Sequence, residues 1–129
     1  MPLTPEARNE IFNKLKTALE KQCPPMVCSK SKEGVYELIG NKPVPYGYDK
    51  KIVPGMYFSS AVARKDMVSF YFFPMYMQSG FKELIPEMIK TLKGKTCFNI
   101  KKPEQVNEKE LNALLKKGVQ AWKKIGYMK

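Results

Sequence analysis

Two amphipathic segments near the ends of the chain and a strand-like centre predict an α+β fold. The expected architecture is an antiparallel sheet of about 4–6 strands with N-terminal, middle and C-terminal helices packed on it. The expected element order is α-β-β-β-α-β-α. Three observations carry this reading. Apolar residues recur at helical spacing near both ends, and the short link Lys65-Asp66 joins two strand-like runs. No apolar run approaches the ~18 residues that a membrane helix needs. At 129 residues, 43% apolar and 27% charged, the chain is expected to form one domain over residues 1–129 with a single core.

The first helix is predicted over residues 5–22. Thr4 is its cap, and Pro5 takes the first helical position, where a missing N–H does no harm. Ala7, Ile11, Phe12, Leu15, Ala18 and Leu19 make one apolar face, and Pro24-Pro25 ends the helix. Residues 24–34 read as loop. Val35-Tyr36-Glu37-Leu38-Ile39, between Gly34 and Gly40, reads as a short strand. Residues 41–55, rich in proline and glycine, read as a long ordered loop or an edge excursion, expected to lie against the sheet because Val44, Tyr46, Tyr48 and Ile52 are apolar for a solvated segment.

A hairpin follows. Met56 to Arg64 is expected to place Phe58, Ser60 and Val62 on one side and Tyr57, Ser59, Ala61 and Ala63 on the other. Met67 to Met75 places Val68, Phe70 and Phe72 opposite Met67, Ser69, Tyr71 and Phe73, which suits an interior strand covered on both faces. Pro86 opens a short middle helix that buries Met88, Ile89 and Leu92 and stops at Gly94. Thr96 to Ile100 is a further strand. The last helix starts at Asn107, where Glu110 completes a capping-box pattern, and ends at Gly126. Leu111, Leu114, Leu115, Gly118, Trp122 and Ile125 form its apolar stripe.

Charge bounds the function. Of 23 basic residues all but Arg8 and Arg64 are lysine, against 12 acidic residues, giving a net charge of +11. Residues 93–129 hold ten lysines and three glutamates, so the surplus is concentrated at that end. Such a surface attracts polyanions, whereas specific readout of bases relies on arginine's planar fork. On the last helix, Lys109, Lys116 and Lys123 form one outward row and Lys117 and Lys124 another. Lys116, Lys117, Lys123 and Lys124 are therefore the candidate anion-binding residues, competing with a plain solubilising role.

The chemistry of catalysis is poorly provided for. The sequence has no histidine, which removes Ser–His and Cys–His pairs and the common zinc hydrolase sites. The carboxylates are scattered among lysines. Cys23, Cys28 and Cys97 are too few for a structural zinc site without histidine, and they read as reduced thiols. Gly94-Lys95-Thr96 lacks the earlier glycine and the strand-to-helix context of a phosphate loop. The N-terminus has neither the basic start nor the apolar stretch of a signal peptide. The expectation is a cytoplasmic, non-enzymatic protein with no cofactor, no metal site and no membrane insertion.

The aromatic run Phe70-Tyr71-Phe72-Phe73 reads as core, since the glycines of an RNA-recognition strand are absent from it. A small-ligand pocket is the concave site that the sequence supports, built from Tyr46, Tyr48, Tyr57 and Tyr71, whose hydroxyls would give an apolar cavity some polarity.

Two stretches resemble a known family. Ile52 to Phe58 leading into Val68 to Pro74, and Gly94-Lys95-Thr96-Cys97-Phe98-Asn99-Ile100-Lys101-Lys102, are similar to segments of the YdhG-like domain family. The resemblance spans most of residues 5–125. It implies two helices packed on an antiparallel sheet. Much of that family has no assigned function, and one branch is described as frataxin-like iron chaperones. Iron binding of that kind uses an acidic ridge, whereas here Glu6, Glu10 and Glu20 are interspersed with Arg8, Lys14, Lys16 and Lys21. The leading expectation is a binding or accessory module for a small ligand or an anionic partner. Iron handling is the alternative, and a homodimer through the aromatic strands is a third reading.

Overall fold

The computed structural model describes residues 4–23, 26–46, 51–77, 80–94 and 96–128 of the chain. Helix α1 (Pro5–Glu20) begins where the sequence places it: the Thr4 hydroxyl accepts the Ala7 amide at 3.1 Å, and Pro5 opens the first turn. Helix α3 (Glu108–Ile125) is capped by Asn107, whose side chain accepts from the Glu110 amide at 3.0 Å, and ends at Gly126 in the left-handed conformation.

Between them lies a six-stranded antiparallel sheet. Strands β1 (Val27–Lys32), β2 (Val35–Ile39), β5 (Tyr57–Ala63), β6 (Val68–Phe72), β7 (Leu92–Lys93) and β8 (Cys97–Ile100) are ordered β1-β2-β5-β6-β8-β7. Strands β3 (Val44–Tyr46) and β4 (Lys51–Val53) form a separate two-stranded ribbon. A short helix, α2 (Pro74–Met77), follows β6. The observed molecule is α+β, as predicted.

Several elements differ in detail. Residues 27–32, expected as loop, form edge strand β1, which is exposed along its length and held by pairing with β2. Within residues 41–55 the β3–β4 ribbon replaces the expected loop. Val44 and Val53 are cross-strand partners on its inner side, whereas Ile52, opposite Pro45, is 63% exposed and does not lie against the sheet. The middle helix is two 3-10 turns, Lys82–Leu84 and Met88–Thr91, with Pro86 in the break between them. There the backbone leaves helical geometry at Ile85, the residue before the proline.

The hairpin is present, with Arg64 and Met67 bonded across Lys65-Asp66 at 2.8 Å. Its alternation is broken by a bulge. Leu38 pairs with Ser59 and Ile39 with Tyr57, so Phe58 is skipped in the ladder. Phe58 and Ser59 consequently both face the helices, followed by Ala61 and Ala63, while Tyr57, Ser60 and Val62 face away. The expected grouping of Phe58 with Ser60 and Val62 is thus corrected.

Strand β6 is interior by position, between β5 and β8, yet only its Val68-Phe70-Phe72 side belongs to the helix-covered core. Phe58, Phe70, Phe72, Phe81, Phe98 and Trp122 are fully buried there. Phe58 meets Phe72 edge-on at 5.5 Å and Trp122 at 5.9 Å, contacts worth about 0.5–1.5 kcal/mol each beyond area burial.

Glu110 departs from the capping-box pattern. Its carboxylate does not return to Asn107. It accepts the amides of Glu87, at 3.1 and 3.2 Å, and of Met88, at 2.9 Å, and so ties the second 3-10 turn to the start of α3. A buried carboxylate that receives backbone N–H groups in this way holds two elements in register.

Candidate functional site

The sheet face turned away from α1 and α3 carries the polar side chains. From the strand registers it presents Glu37 and Ile39 of β2, Tyr57 and Ser60 of β5, Tyr71 of β6 and Asn99 of β8. Where β2 and β5 meet the β4–β5 connection, this face opens into a cavity of about 340 Å³ lined by Ser29, Glu37, Ile39, Val53, Gly55 and Tyr57.

Close backbone packing shapes the cavity. Gly55 passes so near Gly40 that a Cβ at position 55 would collide with the Gly40 carbonyl, and the Gly40 amide donates to Met56 at 2.9 Å. Glycine at position 55 therefore lets the β4–β5 connection lie against the end of β2. The bulge at Phe58 turns Tyr57 outward into this same space.

The polar groups are few and held in place. The Ser29 hydroxyl donates to the Glu37 carboxylate at 2.6 Å, and the Tyr57 hydroxyl shares a 2.6 Å hydrogen bond with Ser60 Oγ. Burial pushes the Tyr57 phenol well above its ordinary value. The Ser60 hydrogen bond opposes that shift, and the nearby Glu37 charge adds to it. Tyr57 is thus a neutral hydrogen-bonding group, while Glu37 keeps acceptor capacity beyond its bond to Ser29. Ile39 and Val53 supply apolar wall.

Of the expected tyrosine set, Tyr57 and Tyr71 have described side chains, and these two separate. Tyr57 lines the cavity. Tyr71 lies on the same sheet face, where it is the cross-strand neighbour of Ser60, but its hydroxyl accepts Arg64 Nη2 at 2.8 Å and it does not line the cavity. Arg64 Nε also donates to Ser69 at 2.9 Å. Tyr46 is in β3, paired with Lys51, and Tyr48 lies outside the described residues. Glu37, Ser29 and Gly55 were missed. The alternation of Val35 to Ile39 already placed Glu37 opposite the core-facing Tyr36 and Leu38, which was the available signal.

The lysine candidates also separate. Lys116, Lys123 and Lys124 are exposed on α3. Lys117 is half-buried; its ammonium donates to the Gly80 carbonyl at 2.6 Å and lies 5.4 Å from the Phe81 ring centre.

Other chemistry is sparse. Among the described residues no three His, Cys, Asp or Glu side chains gather where they could hold a metal ion, and no helix is long and apolar enough to cross a membrane. All three cysteines are free, and burial pushes the Cys23 thiol up, away from the reactive thiolate. Comparisons with protein-family models, curated proteins and solved structures gave no match.

Proposed function

We propose that this protein is a non-enzymatic binding module that holds a small molecule in the Glu37–Tyr57 cavity. The observation that supports this most is the conjunction of a carboxylate and a half-buried neutral phenol in one apolar-walled cavity of about 340 Å³. That size is at the lower end for small-molecule sites, which combine apolar walls with a few fixed polar groups. Among the described lining residues Glu37 is the charged group, so the favoured ligand is a small amine with an apolar body. Its ammonium would pair with Glu37, its apolar part would contact Ile39 and Val53, and Tyr57 would offer a hydrogen bond.

Native mass spectrometry of protein purified gently at low salt tests this reading. A discrete adduct on the folded chain that is lost in Glu37→Gln supports it. An adduct indifferent to Glu37→Gln and to Tyr57→Phe would show that the cavity does not hold it.

The exposed lysines of α3 support a second, weaker reading, an anionic partner docked over Lys116, Lys123 and Lys124. It uses the opposite charge and a different surface, so the two readings are separable.

A further inference from the structure

Two of the three thiols come together where the end of α1 meets the edge of the sheet. Cys23 follows the last turn of α1, half-buried and packed against the core, while Cys28 is exposed in β1. Cys28 is the cross-strand partner of Leu38, whose side chain is fully buried in the helix-covered core, so Cys28 belongs to the same side of the sheet. The chain doubles back between them: the Met26 amide donates to the Gln22 carbonyl at 2.8 Å.

Tyr36 of β2 links the pair. Its hydroxyl makes hydrogen-bonding contact with both the Cys23 and the Cys28 sulfur, so the two thiols are neighbours around one oxygen. They differ in access. Cys28 is open to solvent, whereas burial holds the Cys23 thiol above its ordinary value, and the nearby Cys28 adds to that effect. Such a division suits a pair in which the exposed sulfur reacts first and the shielded one second. Cys97 stands apart. It is the partner of Tyr71, on the face turned away from the helices, and donates to Asn99 Oδ1 at 3.4 Å.

We propose that Cys23 and Cys28 are a peroxide-oxidised pair whose disulfide ties the end of α1 to edge strand β1. In the first step the Cys28 thiolate attacks one oxygen of hydrogen peroxide. An S–O bond forms, the O–O bond breaks, and hydroxide leaves and takes up a proton. In the second step the Cys23 sulfur attacks the Cys28 sulfur. The S–S bond forms, the S–O bond breaks, and the departing hydroxide takes the Cys23 proton as water. The two thiols together lose two electrons and two protons, and the peroxide is reduced to two waters; a reducing dithiol restores the thiols. Strand β1 has no buried residue and is held by pairing with β2, so the covalent link gives it a second anchor. The proposal does not depend on the Glu37–Tyr57 cavity.

The test exposes the reduced full chain to hydrogen peroxide, alkylates the remaining thiols with N-ethylmaleimide and maps the tryptic peptides. Cleavage after Lys21 and Lys30 leaves both cysteines in one peptide, residues 22–30. The expected result is that this peptide loses alkylation at both cysteines and is lighter by two hydrogen atoms, while Cys97 stays alkylated and dithiothreitol reverses the change. Cys23→Ser should leave Cys28 as a sulfenic acid that dimedone captures. Cys28→Ser, at an exposed position, should leave Cys23 alkylated after peroxide. Amide hydrogen exchange over residues 27–32 should slow in the oxidised chain. Full alkylation of the 22–30 peptide after peroxide would overturn the proposal, as would Cys97 reacting as fast as Cys28. A disulfide between two chains, oxidation of Cys23 undiminished in Cys28→Ser, or unchanged exchange in β1 would also overturn it.

Discussion

Gly118 of α3 lies against Phe72 of β6 so closely that a Cβ at position 118 would stand 2.5 Å from Phe72 Cζ and 2.9 Å from Phe58 Cε1. The helix reaches the sheet only because this position has no side chain. The aromatic core, which includes the Phe58–Trp122 contact, is built around that approach.

Gly118→Ala is therefore expected to destabilise the protein despite alanine's better helix propensity. The rings on either side are packed and cannot swing clear, so overpacking should cost about 1–3 kcal/mol. Urea denaturation followed by circular dichroism measures it. A variant as stable as the parent would show that the helix can lift from the sheet without loss.

Glu110 should matter more than its helix-start position suggests. Glu110→Ala leaves the Glu87 and Met88 amides without their acceptor, a loss of about 1–3 kcal/mol, and frees the second 3-10 turn. Asn107→Ala removes only the Glu110 amide's partner and should cost about 1 kcal/mol. Hydrogen exchange at Met88 should accelerate in the first variant and stay close to the parent in the second.

Tyr57 makes the fold sensitive to alkali. Burial raises its phenol above the ordinary value of 10.0, so the unfolded chain ionises first as pH rises. The stabilising effect is complete below pH 10 and is lost progressively above it. Tyr36 acts in the same direction, chiefly through its own burial and then its hydrogen bond with Cys28. Tyr57→Phe should cost about 1 kcal/mol at neutral pH through the lost Ser60 bond. It should also reduce, without abolishing, the alkaline fall in stability. Denaturation midpoints across the alkaline range decide it.

The four candidate anion-binding lysines of α3 should divide into two groups. Changing Lys116, Lys123 and Lys124 together to Gln is expected to weaken heparin retention and flatten its salt dependence, with the melting temperature unchanged. Lys117→Gln should lower the melting temperature, because its ammonium holds the Gly80 carbonyl and packs on Phe81. Equal effects of all four on retention would place Lys117 with the outward row.

The two long helices were legible because their signals are local. Thr4 and Asn107 cap, Pro5 and Gly126 bound, and the apolar stripes have helical period. The hairpin was legible from its two-residue link, but its facing was not. A bulge at Phe58 depends on how β2 and β5 pair, and no local pattern announces it. Strand β1 has no buried residue and exists through its partner β2, so its composition read as loop. The destination of the Glu110 carboxylate, 23 residues away at Glu87, is likewise a tertiary fact. The candidate cavity inherits these limits: Tyr57 could be named from the sequence, while Gly55 enters through a backbone crossing that only the fold reveals.

Binding in the Glu37–Tyr57 cavity is tested most directly by an amide chemical-shift titration of the full chain with benzylamine, set against benzoate and benzyl alcohol. The expected result is saturable shifts for benzylamine at Ser29, Glu37, Ile39, Val53, Gly55 and Tyr57, with little response to benzoate and loss of the response in Glu37→Gln. Shifts absent from these residues, or as large for benzoate as for benzylamine, would contradict it.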